Sequence, residues 1–349
     1  MPKGGCRSAF GDLRGKPFWR VPVMTGEELF QRRRKNFQRY GELSAFNLAL
    51  VAEALDTIQR LREENVGGET VERRLGEFKQ WDPDIYRVDK DTEEGYRTRL
   101  ARWGRPVVLL SEEAGRVEVG EGTGGPVYVI ADPFDGSFLF KHGIPDFWYS
   151  SLAFYNADFQ PLSCVVGDAV PRRLAFANET GAYIGDLVGD RLLHCVRLDA
   201  SYRTLMGRPH ATDTKGGSIE SYAMKPTKFL FPLVDRFREF LRPFKFFLPN
   251  GGPYGFVDVA EGKVDVYFAP GQPYVDIFSG LYIAQQAEAV VTDFEGNPVR
   301  PTDDVETVHD VVATTNPALH EVVLKRIAEC LATENRPEGG RKRPGGAVE

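Results

Sequence analysis

Apolar residues recur at helical spacing at Leu43, Phe46, Leu48, Val51, Leu55, Ile58 and Leu61, with charges between them. This spacing predicts one or two amphipathic helices between about Gly26 and Glu63. A second helical pattern is expected to open near Asp91, in DTEEGYRTRLARW, where acidic residues suit a first turn. The period then changes: VVLLSEE, RVEV, VYVIAD, WYSSLAFYN, SCVVGD, RLAFAN and GAYIGD are short β-rich runs separated by Gly, Pro, Asn and Asp. They predict a meandering, largely antiparallel sheet. Beyond about Leu198 the signals alternate. A strand-like TLMGRP and an aromatic helical stretch, FLFPLVDRFREFLRPF, lead to a helix from about Asp276 to Ala289. A hairpin in AVVTDFEGNPV, a strand HDVVATT and a terminal helix from Pro317 to about Thr333 complete the pattern.

At 349 residues the chain exceeds what one core usually organises. The change of pattern puts a boundary near residue 195, between an α+β half (25–195) and an α/β half (196–334). Residues 1–24 read as an N-terminal extension, and the tail 335–349, nearly without apolar residues, is expected to be disordered. The basic run FQRRRKN reads as a solvated face.

Charge and cysteine usage narrow the partners. With 50 acidic against 44 basic residues the net charge is −6, which disfavours nucleic acid or an anionic membrane as the main partner. A small anionic substrate would then need a local device, such as metal ions or a helix N-terminus. Cys6, Cys164, Cys195 and Cys330 form no CxxC pair and read as reduced thiols of a cytoplasmic protein. The start MPKGGCRSAFGDLRG lacks an apolar core, and no segment approaches 18 consecutive apolar residues, so secretion and membrane spanning are both disfavoured.

The chemistry gathers around ADPFDGSFLF (131–140), which leaves the apolar run VYVI. Pro133 fixes φ, Gly136 permits a left-handed turn and Ser137 reads as a helix N-cap. A plain strand, turn and capped helix would account for Asp135 and Ser137. It accounts poorly for two carboxylates, Asp132 and Asp135, set three apart by a rigid Pro and Gly. Rigid acidic oxygens at a strand end suit a hard cation such as magnesium or manganese. The backbone N–H groups of Gly136 and Ser137 would face an anion on the other side. Upstream, Glu112 and Glu113 follow an apolar strand in LLSEEAG; downstream, Asp276 opens a helix in YVDIFSGLYIAQQAEA. Singly, these acidic residues read as structural.

Taken in order, Asp91, SEE (111–113), DPFDGS (132–137) and VDIFSG (275–280) resemble the signature of the magnesium-dependent, lithium-sensitive inositol monophosphatase and fructose-1,6-bisphosphatase superfamily. The resemblance covers roughly residues 40 to 333. It implies a layered αβαβα sandwich, a homodimer, and a phosphoric monoester hydrolase acting on a small phosphorylated metabolite. Glu112, Asp132 and the Phe134 carbonyl would hold one magnesium, with Glu113 the alternative if the register shifts by one. Asp132, Asp135 and Asp276 would hold a second. Asp91 and Ser137 would take the proton of the attacking water, Gly136, Ser137 and Asp276 would contact substrate, and lithium would inhibit. The sequence also departs from the pattern. Val275 replaces a tryptophan, Glu288 and Ala289 replace a glycine pair, and Ala269 stands where inositol-phosphate enzymes carry a glutamate that accepts ring hydroxyls.

Rival readings are weaker. GEGTGG (120–125) matches GxGxxG, but a strand follows it, so a hairpin loop is expected rather than a dinucleotide site. The five histidines show no metal spacing. A catalytically silent regulator of the same fold is the non-enzyme alternative. Among substrates, a sugar bisphosphate such as fructose 1,6-bisphosphate is favoured by Ala269 and by the Tyr-, Lys- and Arg-rich SYAMKPTK (221–228) and RPFK (242–245). An inositol monophosphate and a 3′-phosphorylated nucleotide are the alternatives.

Overall fold

The computed structural model describes residues 24–74, 83–206 and 211–334. Most of the N-terminal extension and the tail expected to be disordered lie outside these ranges. The chain opens with α1 (Gly26–Phe37), closed at its start by a Thr25–Glu28 capping box, and α2 (Glu42–Glu63). A short ribbon of β1 (Thr70–Arg73) and β2 (Asp84–Tyr86) leads into α3 (Arg87–Ala101). The first large sheet is then laid down by β3 (Val107–Ser111), β4 (Gly115–Val119) and β5 (Val127–Asp135). A single helical turn, α4 (Ser137–Lys141), precedes β6 (Tyr149–Tyr155), β7 (Pro161–Asp168), β8 (Arg173–Asn178), β9 (Gly181–Val188) and β10 (Arg191–Leu198). The second half carries α5 (Ala200–Leu205), β11 (Ser218–Glu220), α6 (Phe231–Leu241), β12 (Phe246–Leu248) and α7 (Pro253–Glu261). It closes with β13 (Val266–Pro273), α8 (Tyr274–Gln286), β14 (Val290–Asp293), β15 (Val308–Thr314) and α9 (Pro317–Glu334).

Beside the small ribbon, the described strands form an eight-stranded sheet, β10-β9-β8-β7-β6-β5-β3-β4, and a five-stranded sheet, β12-β11-β13-β15-β14. Alternation along the strands sorts the core into three layers of apolar contact. Leu109, Val129 and Ala131 face α2 and α3 on the outside of the large sheet. Val108, Leu110 and Ile130 face inward, onto α7 and α8 and through them onto the second sheet. Phe268 and Val312, on the far side of that sheet, meet Phe237 and Phe240 of α6 and Val323 of α9. The order helix, sheet, helix, sheet, helix is the expected αβαβα sandwich.

Several local expectations give way. α3 begins at Arg87, four residues before the helix expected near Asp91. GEGTGG is not a hairpin: β4 pairs with β3, and residues 120–126 carry the chain back to β5, which lies on the other side of β3 and parallel to it. Thr204 and Leu205 of the strand-like TLMGRP end α5, and the rest of that stretch after Met206 lies outside the described residues. The β14 strand pairs with β15 rather than folding back within AVVTDFEGNPV. The basic run is not wholly solvated either. Arg33 is 2% exposed and donates to Asp56 and to the Gly189 carbonyl, which ties α1 to α2 and to the β9–β10 turn.

Candidate active site

β3 and β5 are the parallel pair of the large sheet, so their C-terminal ends lie side by side. Ser111 is level with Ala131, and the Glu112 N–H continues the ladder to the Ala131 carbonyl at 3.1 Å. Glu112 and Asp132 therefore leave the sheet together. β3 turns into β4 through Glu112–Ala114, and Arg74 donates to the Glu112 carbonyl in that turn.

β5 carries a bulge. Its pairing with β6 steps from Asp132 opposite Ser151 to Asp135 opposite Tyr149, one residue more on β5 than on β6. In a regular strand residues three apart point to opposite faces; the extra residue lets Asp132 and Asp135 face the same pocket. Pro133 fits there because it has no N–H to offer the ladder. Its carbonyl accepts from Ser150 Oγ at 2.6 Å. Gly136 has φ +104°, and a Cβ there would lie 2.1 Å from the Phe147 carbonyl oxygen, so no other residue fits. Ser137 is the first residue of α4 rather than its cap. Its Oγ lies 3.2 Å from the Phe134 carbonyl.

The fourth carboxylate comes from the other half. Asp276 sits in the first turn of α8, where the helix dipole favours an anion. Carboxylate oxygens of Glu112, Asp132 and Asp276 all lie within 4.8 Å of one another. It is Glu112, not Glu113, that joins them. Asp132 is 1% exposed, and its Oδ1 has no hydrogen-bond partner among the described residues. Burial, together with the charges of Glu112, Asp135 and Asp276, holds its carboxyl well above the usual carboxylate range. Asp135 also faces Gly252, where φ is +64° and a Cβ would fall 2.6 Å from its Oδ2. α7 starts at the next residue.

The partner of Ser137 is not Asp91. Ser137 Oγ donates to Asp89 Oδ1 at 2.6 Å, and Asp89 Oδ2 accepts the Tyr86 N–H at 2.7 Å. Two residues turn a helix by about 200°. Asp89 therefore faces the core at 1% exposure, whereas the Asp91 side chain is 38% exposed and lies 3.9 Å from Arg60 on the outer face. The helix starts four residues before the expected position, and the inward-facing carboxylate is Asp89 rather than Asp91. Asp89 lies on the same face as Val88, Thr92, Tyr96 and Leu100, all buried. Gly252, opposite Asp135, and Glu93, one turn of α3 after Asp89, were also missed.

Ala269 lies within β13, opposite Val311, in the apolar layer between the sheets. Of SYAMKPTK, Tyr222 packs against Gly251, one residue from the Gly252 contact with Asp135.

Acidic oxygens of Glu112, Asp132 and Asp276 thus gather at strand and helix ends of an αβαβα sandwich, beside a paired serine and aspartate. Among solved structures, the chain resembles the Thermotoga maritima IMPase TM1415, with a TM-score of 0.61 and 17% identity over 82% of this chain and 97% of that one. It also resembles the SaIMPase-II solved with inositol monophosphate bound, with a TM-score of 0.59 and 20% identity over 86% and 99% of the two chains. The profile of the inositol monophosphatase family matches residues 40–332, and the chain belongs to that family. An inositol-1-monophosphatase of Mycobacterium bovis is 29% identical over 207 residues, spanning 58% of this chain and just under two thirds, 66%, of that protein. A Nus factor SuhB of Pasteurella multocida is 26% identical over 253 residues, 72% of this chain and 84% of that protein.

Proposed function

We propose that the protein is a magnesium-dependent phosphomonoesterase acting on a small sugar or polyol phosphate. The observation that carries this reading is Asp132, a buried aspartate with an unpartnered oxygen among the carboxylates of Glu112, Asp135 and Asp276. Such a set is costly without positive charge and is made of the oxygen donors that magnesium or manganese prefers. Glu112, Asp132 and the Phe134 carbonyl would hold one ion; Asp132, Asp135 and Asp276 would hold a second. Bound there, the ions supply positive charge for the phosphoryl oxygens and lower the pKa of water.

The chain's own groups supply the rest. Ser137 takes the proton of the attacking water as its own passes to Asp89, which the Tyr86 N–H holds in place. Gly136, Ser137 and Asp276 border the substrate. The backbone N–H groups of Gly136 and Ser137 would receive the phosphate.

For the substrate we favour a sugar bisphosphate such as fructose 1,6-bisphosphate over inositol monophosphate. Ala269 cannot accept a ring hydroxyl, and each unpaired polar contact costs about 1–3 kcal/mol. Tyr222, in the Tyr- and Lys-containing stretch 221–228, packs against Gly251 next to the Gly252–Asp135 contact, which supports the same choice. The inositol reading is supported by the mycobacterial relative's name and by the inositol monophosphate bound to SaIMPase-II; another structure of that enzyme has 2′-AMP bound. The Pasteurella relative, named as a Nus factor, keeps a regulatory reading open for comparison. The Ser137–Asp89 pair favours catalysis, since a pure binder needs no proton acceptor. Phosphate release from fructose 1,6-bisphosphate, inositol 1-phosphate and a 3′-phosphorylated nucleotide, with and without Mg²⁺, tests all three readings. No release from any of them would sink the enzyme reading, and a kcat/KM for inositol 1-phosphate equal to or above that for the bisphosphate would overturn the substrate choice. Inhibition by lithium, a homodimeric state and residence in the cytoplasm complete the proposal. Among the described residues, no helix is long and apolar enough to cross a membrane.

A further inference from the structure

One turn of α3 reaches two parts of the site. Four residues after Asp89 on the same face, Glu93 is buried, and its Oε1 accepts from both Ser111 Oγ and the Ala114 N–H, the latter at 2.9 Å. Ser111 and Ala114 bracket Glu112 and Glu113, so the Glu93 carboxylate spans the base of the turn that delivers Glu112 to the cluster. Lys90 Nζ stands 4.0 Å from its other oxygen. Residues four apart on a helix are fixed neighbours. The distance between the Ser137–Asp89 pair and the Glu112 turn is thus set by α3.

We propose that Glu93 is a positioning residue for the metal centre: it holds the Glu112 turn in the geometry that binds the cation, in register with the proton-accepting pair. The inference rests on the metal-site reading above. A purely structural role would predict lost stability with unchanged metal affinity. A positioning role predicts weaker metal binding in a folded protein, on the scale of 10- to 100-fold for loss of a group that orients a ligand. Gln in place of Glu93 keeps an oxygen for both donors and should restore most of the affinity.

The test is Mn²⁺ binding by calorimetry, with circular dichroism to confirm folding, on the wild type, Glu93→Leu, Glu93→Gln and Ser111→Ala. Glu93→Leu should weaken Mn²⁺ at least about tenfold and Ser111→Ala by less, while Glu93→Gln stays within about fivefold of wild type. Folded Glu93→Leu with wild-type affinity would overturn the proposal. If that variant does not fold, Ser111→Ala decides, and unchanged Mn²⁺ affinity there overturns it equally. A wild-type chain that takes up no Mn²⁺ would overturn the metal-site reading and this inference with it, whereas wild-type binding with unaltered variants removes the inference alone.

Discussion

Asp132→Asn should stabilise the chelated protein while abolishing its response to magnesium. In EDTA above neutral pH the Asp132 carboxyl has two courses. Ionised, it repels Glu112 and Asp276, whose nearest oxygens lie within 4.8 Å, by at least about 3.5 kcal/mol each at an effective dielectric constant near 20. Protonated at pH 8, it keeps a proton that an unfolded aspartate releases near pH 3.9, at a cost of about 5–6 kcal/mol. The smaller cost applies, and relaxation of the site reduces it further. The uncharged amide, similar in shape and able to donate to a neighbouring carboxylate, should recover on the order of 3–5 kcal/mol. At roughly 2 °C per kcal/mol for a chain this long, the melting midpoint in EDTA should rise about 5–10 °C. The sign with pH follows. A carboxyl whose folded pKa is raised binds more protons folded than unfolded, so the chelated wild type loses stability as pH rises from about 4 and the variant loses less. Magnesium at ten times its dissociation constant should return about 1.4 kcal/mol to the wild type and nothing to the variant. Thermal melts of both proteins at pH 8, in EDTA and in Mg²⁺, read all of this. An Asp132→Asn protein that melts at or below the wild type in EDTA would refute the reasoning.

Ser137→Ala and Asp89→Asn should each lower kcat by roughly 10²–10⁴-fold with little change in KM, while Asp91→Ala stays near wild type; steady-state kinetics on the best substrate of the panel would be decisive, and a loss at Asp91 equal to that at Asp89 would contradict the geometry. Gly252→Ala should displace Asp135, because its Cβ would fall 2.6 Å from Oδ2 on a backbone already at φ +64°, and an unchanged magnesium titration of activity would show that the contact is slack. Burial pushes the Asp168 carboxyl up to about 7, so its contribution to stability falls as pH rises from about 4 through 7, and Asp168→Asn should flatten that part of the curve in urea melts.

Much of the architecture was legible because the large sheet alternates buried and turn-forming residues in runs long enough to count. The acidic cluster was legible because Asp132, Asp135, Glu112 and Asp276 each sit where a strand ends or a helix begins, places that composition marks with Pro, Gly and polar residues. The serine's partner was not. Asp89 and Asp91 are both acidic and two residues apart, and only the helix start separates an inward from an outward carboxylate. The acidic run DTEE suits a first turn and so points to a start near Asp91, but the helix is opened earlier, by Asp89 accepting the Tyr86 N–H. Strand pairing was also beyond reach. The order β5-β3-β4 puts the chain neighbours β4 and β5 on opposite sides of β3, which no local signal near GEGTGG records.

The carboxylates of the acidic cluster and the residues proposed to face substrate differ in how firmly the backbone holds them. Asp132 and Asp135 depend on a bulge, a proline and a glycine that cannot take a Cβ, and Glu112 depends on a turn clamped from α3, so each carboxylate is fixed by backbone that other contacts also need. Ala269 is held by nothing comparable. It lies in β13 opposite Val311, and a small apolar side chain there fills the layer between the two sheets at no electrostatic cost. A glutamate at that position would have to be desolvated in the apolar layer between the sheets, at a cost that only a partner for its charge would offset. Under the function proposed above, a change of substrate would therefore fall on positions such as Ala269 and Tyr222 and spare the acidic cluster, which the backbone holds.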